Sequence, residues 1–470
     1  NKVAAWEKSQ SKPPTNFKLP KGYLPTESIC TLINTNICII RKNSLYYVIK
    51  LQEIYSQMNR VHMNNNKTQD QPSTESQLST RALERRIKRR FLKEVHSFFA
   101  SCSQGFENIL AQELKNIEGV TNLVIVEGGV EYSGELRLMY ESNLRLRTAN
   151  RILMRIASFN GKSYPTLFNK VRTKPWELYL GINPEININV TAKQSRLHHT
   201  GNIAKTIADG IKNYYQRFNQ DISVKEDASK TIFVRFFDDA CTISLDTSGE
   251  HLHKRGYKSH NVDAPIRETY AAGLLLKYGV ENYNTIVDPF CGSGTLLFEA
   301  ASIVHSVQAG SIRDFAFFDF AFFNKGLWEK IKKENPARDI PTKIDHIRFF
   351  GFDIEEKAIE AARSNSKKLE MDELISFQAQ DARILKNRWE NKGLILANLP
   401  YGIRLSGKQE DIRQLYKDFG ETLRNEFKGW TGLFISNSIP YLQLLPVKVK
   451  NSFQFSNGGI KVTAHWGSIK

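Results

Sequence analysis

From Ile286 to the end of the chain, short apolar runs alternate with longer amphipathic stretches, the pattern of a parallel sheet carrying helices on both faces. The first run, Thr285-Ile-Val-Asp288, passes through Pro-Phe-Cys-Gly-Ser-Gly and resumes as Thr295-Leu-Leu-Phe-Glu-Ala-Ala301, predicting a buried strand, a glycine turn and a helix opening at Thr295. Arg348–Asp353 and Ile375–Asp381 read as strands with acidic ends, and Gly393-Leu-Ile-Leu-Ala397 as a strand running into the turn Asn398-Leu-Pro-Tyr-Gly402. A helix over Asp411–Phe427 and a strand over Gly432–Ser436 follow. The stretch Ser452–Trp466 reads as two strands joined at Asn457-Gly458, a strong hairpin signal.

Upstream, Ser97–Cys102, Val120–Val126 and Gly129–Ser133 have strand patterns, with helices over Phe106–Ile117 and from Leu136, the outline of a ferredoxin-like unit. A second small α/β unit spans about Tyr164 to Leu245: the alternating strand Ile186–Val190, a helix Ile203–Phe218, and closing strands Thr231–Phe237 and Cys241–Leu245. Pro265 suits the first turn of a helix running to about Tyr278. From Asn1 to about Thr80 the chain is polar with one short apolar patch. Asn64–Thr74 reads as a linker or disordered segment, and nothing there carries chemistry. Arg81–Arg90 is basic, with Leu83, Ile87 and Leu92 on one helical face; it either lies along a phosphate backbone or packs on the body as a solvated helix.

Charge adds a partner class. The 470 residues hold 66 Lys+Arg against 49 Asp+Glu, a formal net charge of +17, which favours a polyanionic partner. Membrane insertion is disfavoured, because no apolar run approaches the ~20 residues that span a bilayer, and the opening residues have no secretory pattern. The five cysteines (Cys30, Cys38, Cys102, Cys241, Cys291) are odd in number and form no Cys-x-x-Cys, so neither zinc nor a disulfide framework is expected and a reducing cytosol is the natural setting.

Two turns carry the candidate chemistry. Gly292 and Gly294 let the backbone bend sharply and approach a ligand beside free helix N–H groups, which admits a nucleotide-like ligand or a plain turn. At the other turn Asn398 can accept and donate, Pro400 offers a free carbonyl, and Tyr401 offers a flat face for stacking; together they suit an exocyclic amino group held in plane. The bland alternative is a loop of turn residues. Cys291 reads as a small half-buried turn residue in preference to a nucleophile. Lys193, Arg196, His198 and His199, gathered before a helix, suit phosphate contacts; a metal at the adjacent histidines lacks a third ligand.

The pair Asp288-Pro-Phe-Cys-Gly-Ser-Gly-Thr295 and Asn398-Leu-Pro-Tyr401 resembles motifs I and IV of S-adenosylmethionine-dependent amino-methyltransferases, and more narrowly the THUMP-domain RNA guanine-N2 methyltransferases. The likeness covers roughly Phe98 to Lys470, with Phe98–Glu107 matching the family's opening. It implies a Rossmann-like class I methyltransferase domain, mostly parallel with a C-terminal antiparallel hairpin, preceded by ferredoxin-like and THUMP α/β modules. The expected divisions are a basic N-terminal extension (1–90), ferredoxin-like module (95–162), THUMP RNA-binding domain (163–250), linker and helix (251–280) and methyltransferase domain (281–470). No second methyltransferase domain, fused on in some relatives, is expected.

The same resemblance implies S-adenosylmethionine held by Asp288, Pro289, Cys291, Gly292, Gly294, Thr295, Asp353, Ile354, Asp381, Ala382 and Asn398, with Asn398, Pro400 and Tyr401 catalytic. A ribose-binding acid is usual about 20 residues past the glycine turn. Here the first strand-ending acid, Asp353, comes 61 residues after Gly292, beyond an aromatic insertion, Arg313–Phe323, of a type that family members carry. Its alternative role is capping the helix before Glu355. RNA contacts are expected from Lys193, Arg196, His198, His199, Lys254 and Arg255, with no metal. The implied function is transfer of a methyl group to guanine N2 of 23S ribosomal RNA in the cytoplasm. Transfer RNA is the alternative, which Leu399 favours by replacing the family's usual first proline. A degenerate RNA-binding protein is the third reading and DNA adenine methylation a remoter one.

Overall fold

The computed structural model describes residues 29–34, 37–42, 45–50, 79–258, 266–334, 347–400, 409–457 and 459–470. The first 75 residues form one contact unit and Ser76–Lys470 another. In the first, strands β1 (Ile29–Asn34), β2 (Ile37–Lys42) and β3 (Leu45–Lys50) make an antiparallel sheet, with Cys30 opposite Ile40 and Ile39 opposite Val48. This corrects the reading of a short apolar patch in a polar extension. The three six-residue runs, rich in Ile and other apolar residues, are separated in sequence only by the polar pairs Thr35-Asn36 and Asn43-Ser44.

The second unit opens with the helix Thr80–Arg90, capped by Ser79 Oγ on the Ala82 N–H at 3.2 Å. Leu83 and Ile87 are buried, so the helix packs on the body; Arg86 pairs with buried Glu177 at 2.7 Å, while Arg81, Arg85, Lys88, Arg89 and Arg90 are exposed. Next come β4 (His96–Ser101), helix Glu107–Lys115, β5 (Thr121–Val126), β6 (Gly129–Gly134), helix Arg137–Arg145 and the long β7 (Arg151–Asn160). Helices Tyr164–Val171 and Trp176–Leu180 lead to β8 (Glu185–Lys193), helix Thr200–Gln216, β9 (Ser223–Val224), β10 (Lys230–Phe237) and β11 (Ala240–Asp246).

The two α/β units expected here are one continuous eight-stranded sheet, ordered β5-β6-β4-β7-β11-β10-β8-β9. The joint is β7, antiparallel to β4 on one edge and to β11 on the other, which leaves neither strand an open edge.

The helix Glu268–Tyr278 then enters the C-terminal sheet; it starts beyond Pro265, which lies outside the described residues. That sheet holds β12 (Thr285–Asp288), β13 (Arg348–Asp353), β14 (Ile375–Ala379), β15 (Leu394–Asn398), β16 (Thr431–Ser436), β17 (Val447–Asn457) and β18 (Ile460–Ile469), ordered β14-β13-β12-β15-β16-β18-β17. The first five are parallel, and β18 joins β16 antiparallel to make the closing hairpin with β17. From Thr80 onward the described residues fold as α/β, with a Rossmann-like sheet following a ferredoxin-like one.

The aromatic insertion fastens the two sheets together. Phe315, Phe317, Phe318 and Trp328 pack ring against ring, and Tyr140 of the helix Arg137–Arg145 meets Phe317 edge-on at 5.0 Å. Arg313 donates to the carbonyls of His251, Lys254 and Glu250 at 2.8, 2.9 and 2.8 Å. On the opposite flank Phe106 sits against Phe453 (5.0 Å), Phe455 (5.9 Å) and Tyr270 (5.6 Å). A methyl group on Gly273 would stand 2.3 Å from Phe106, so that helix has to be bare at this point.

Candidate active site

The parallel register decides which side chains meet. Strand β12 lies between β13 and β15, with Asp288 opposite Gly351 and Val287 opposite Ile395. The carboxyl ends of β14, β13, β12 and β15 are therefore consecutive along one sheet edge, and there Asp381, Asp353, Asp288 and Asn398 emerge. Strands in a sheet lie about 4.8 Å apart, so the two motifs stand one strand spacing from each other.

The turn after β12 is braced from β13. The Gly292 N–H donates to Asp353 Oδ2 at 2.9 Å, and Cys291 N donates to the Phe352 carbonyl at 2.9 Å. Asp353 Oδ1 accepts from Glu355 N at 3.0 Å, a local turn that leaves the helix Glu356–Lys368 without a side-chain cap, so the capping alternative does not hold and the carboxylate's long-range bond is its grip on the glycine turn. Each oxygen keeps a lone pair for a further donor. The 61-residue separation vanishes because β12 and β13 are neighbours.

The two glycines differ in purpose. Gly292 has φ 53° and open space where a Cβ would stand, whereas at Gly294 (φ 92°) a Cβ would press on the rings of Phe298 and Phe377 at 2.6 and 3.2 Å. Asp288 and Pro289 are buried beneath the turn, and Asp288 Oδ1 accepts from Phe290 N at 3.0 Å. Burial, and next to it the Asp353 charge, lift the Asp288 carboxyl well above the usual range. Burial likewise keeps the Cys291 thiol protonated, which removes the nucleophile reading. Thr295 and Ala382 are buried, while Ile354 stands 62% exposed beside Asp353, an apolar surface facing solvent at a polar strand end.

Asp381 is engaged by its neighbour. Arg383 Nε and Nη2 reach Asp381 Oδ2 at 2.9 and 2.6 Å, and Oδ1 accepts from Arg383 N at 2.9 Å. Those bonds hold the Asp381 carboxyl below its ordinary value.

Asn398 closes β15 opposite Ile435 of β16. Its Oδ1 is shut off from solvent and has no hydrogen-bond partner among the described residues, an acceptor left unsatisfied. The Leu399 N–H pairs with the Ile435 carbonyl at 3.0 Å, and Leu399 is buried, so an apolar residue in place of the usual proline continues the sheet ladder. The Pro400 carbonyl accepts from the Tyr416 hydroxyl at 3.2 Å, a contact with no local signal in the chain; Ser436 Oγ lies 2.9 Å from the Tyr416 oxygen, which can accept its proton. Tyr401 lies outside the described residues.

Lys193, Arg196, His198 and His199 are exposed together on the loop after β8, which Asp239 holds through Arg196 N at 2.8 Å. The two imidazoles are 4.2 Å apart, and no cluster of three or more His, Cys, Asp or Glu able to hold a metal occurs among the described residues. Lys254 is exposed and pairs with Glu250. Arg255 is a correction: its guanidinium is buried, paired with Glu299 at 3.0 Å and donating to the carbonyls of Leu252 and Arg147 at 2.9 and 2.7 Å. It ties the linker to both sheets and presents nothing to a phosphate. A lone Lys-Arg pair in a linker gave no signal separating the exposed charge from the buried one.

Comparison with known proteins follows the same divisions. Residues 97–153 match the RlmL ferredoxin-like domain, 161–246 the THUMP domain, and 255–465 the RMKL-like methyltransferase domain. The crystal structure of a possible methylase from Clostridium difficile 630 has 30% identity and a TM-score of 0.69, covering 80% of this chain and 99% of that one. The chain belongs to this methyltransferase family. Within it, the structure of SMU.472 complexed with SAH has 26% identity and a TM-score of 0.72 over 80% of this chain and 99% of its own. Among curated proteins, the ribosomal RNA large subunit methyltransferase K/L of Cellvibrio japonicus is 31% identical over 380 residues, covering 78% of this chain and 50% of that protein. The protein of the same name from Syntrophotalea carbinolica is 30% identical, covering 77% and 52%. The chain thus spans about half the length of these curated relatives. No helix among the described residues is long and apolar enough to cross a membrane.

Proposed function

We propose that this chain transfers a methyl group from S-adenosylmethionine to the exocyclic N2 of a guanine in large-subunit ribosomal RNA, in the cytoplasm. The observation that carries the reading is the orphaned Asn398 Oδ1 one strand away from the braced glycine turn. The cradle fits the cofactor: Gly292 leaves open space for close approach, Asp353 keeps lone pairs for ribose hydroxyls, and exposed Ile354 offers an apolar face to an adenine. The SAH bound to SMU.472 and the names of the curated relatives support the same cofactor and RNA class.

When bound, S-adenosylmethionine supplies an electrophilic methyl. The obstacle is the guanine amino group, whose lone pair is delocalised into the ring. Asn398 Oδ1 accepts one amino hydrogen and the Pro400 carbonyl, using its second lone pair beside Tyr416, accepts the other, so electron density on the nitrogen rises and its lone pair is aimed at the methyl. Tyr401 stacks on the base. The rate gain comes from positioning and fixed dipoles, with no strong base required, because the methylated nitrogen is cationic and its surplus proton is acidic enough to pass to water. The exposed stretch carrying Lys193, Arg196, His198 and His199 holds the RNA backbone, and Lys254 on the linker ahead of the helix Glu268–Tyr278 adds a further cation. Asp381 accepts the adenine amino group once Arg383 shares or yields its bonds. The test is incubation of the chain and cofactor with under-methylated ribosomal and transfer RNA, followed by mass analysis of nucleosides. N2-methylguanosine in the large-subunit RNA is expected; methyl groups on adenine or on transfer RNA would displace the reading.

A further inference from the structure

A groove of about 880 Å³ opens where three parts of the chain meet: the loop after β4, the start of the helix Glu268–Tyr278, and the β17–β18 hairpin. Its lining includes two cations, Arg267 and Lys461, and no carboxylate. Both side chains are exposed, and neither has an ion-pair or hydrogen-bond partner among the described residues. Cations dominate behind Arg267: burial first, then the Arg267 charge, pushes His253 down to about 3, and burial followed by Arg151 and Arg267 lowers His251, while nearby Glu268 is paired with Lys258 and Glu107 is bound to Gly105 N at 2.7 Å. The floor adds neutral hydrogen-bonding groups, with Gln104, Asn437 and Gln454 exposed into the groove.

The position is set by strand register. Asn437 directly follows β16, whose Ile435 stands opposite Asn398, and Ser436 pairs with Thr463 of β18, another groove residue. Thr463 is two strand spacings from β15, about 10 Å. The groove therefore continues the carboxyl edge on the Asn398 side, away from the glycine turn and Asp353. Its walls are fixed, because Ser103 Oγ donates to the Tyr270 hydroxyl at 3.0 Å and Phe106 is wedged between Tyr270 and the hairpin.

We propose that this groove takes the single-stranded RNA segment flanking the target guanine, with Arg267 and Lys461 on phosphates and the amides of Gln104, Asn437 and Gln454 on sugars or base edges. The inference rests on the RNA methyltransferase reading and assigns where the strand leaves the catalytic cleft. An extruded base drags its neighbours with it, so a track for them must begin within a nucleotide or two of Asn398. A polar channel with unpaired cations meets that need.

The test measures fluorescence anisotropy of a labelled single-stranded oligoribonucleotide of about 12 nucleotides on the full chain, across a salt series. Arg267→Ala with Lys461→Ala is expected to weaken binding about 10-fold or more and to flatten the salt slope by about 1.4, roughly 0.7 per phosphate contact. Cofactor titration should be unchanged, which also shows the variant folded. Unchanged affinity and slope overturn the groove while leaving the methyltransferase reading intact. An intact chain that binds no RNA overturns both. Independently of any variant, 4-thiouridine crosslinks from the oligonucleotide should map to the groove residues between 437 and 463; crosslinks confined to the loop after β8 would overturn the assignment.

Discussion

Replacing Asn398 by alanine separates catalysis from architecture. In the fold, Asn398 Oδ1 makes no hydrogen bond with the described residues, so its removal leaves no protein donor stranded. Unfolding free energy should change by less than about 1 kcal/mol, typical of a substitution that breaks no buried network. The transition state loses a preorganised acceptor at the nitrogen that becomes more positive. A single such group is worth about 2.7–4 kcal/mol, or roughly 100- to 1000-fold in kcat. Because the interaction strengthens only as the bond forms, kcat and kcat/KM should fall together while KM for RNA stays within a few-fold. Single-turnover transfer of labelled methyl groups, with RNA and cofactor affinities measured separately, reads both quantities. Full turnover in Asn398→Ala at unchanged affinities would refute the acceptor role. A collapse of folding stability would show that the amide is structural instead.

Arg255→Ala should cost about 3–5 kcal/mol of stability, because it removes the 3.0 Å partner of buried Glu299 and leaves only Arg147 at 4.0 Å; urea unfolding checks this, and lost RNA affinity at unchanged stability would contradict the buried clamp. The folded Asp288 carboxyl has a raised pKa, so it holds its proton more tightly than in the unfolded chain, whose carboxyl titrates near 3.9. Its stabilising contribution is present below that value and is lost as pH rises toward the folded pKa. The melting temperature of Asp288→Asn relative to the parent should therefore climb as pH rises above about 4, and a constant difference would contradict the shift. Arg383→Ala should tighten cofactor binding by up to about fivefold, since an exposed pair of this kind is worth roughly 0.2–1 kcal/mol. Calorimetric titration reads it, and weaker binding would mean that Arg383 itself holds the ligand.

Much of the fold could be read from the chain because each strand of the C-terminal sheet is a short apolar run with a polar end, and Asn457-Gly458 marks the hairpin. Harder to see was the union of the two N-terminal units. Strand β7 (Arg151–Asn160) carries arginines at Arg151 and Arg155, and these are accommodated by Asp246 and Glu131, partners far away in sequence. Strands β1 to β3 were hidden by the polar composition around them. At the site, local spacing revealed the two turns but not their bracing. The bond from Gly292 to Asp353 spans 61 residues, and the Tyr416 hydroxyl reaches Pro400 from the helix Gln409–Glu426. Arg255 shows the opposite failure, a charge read as a surface group that the fold spends on a buried ion pair.

The most direct measurement is a crystal structure of the chain with S-adenosylhomocysteine and a short RNA containing the target guanine. The account expects the ribose at Asp353, the sulfur between the Gly292 turn and β15, and guanine N2 within hydrogen-bond distance of Asn398 Oδ1 and the Pro400 carbonyl. A guanine bound elsewhere, with Asn398 turned toward the cofactor alone, would contradict it.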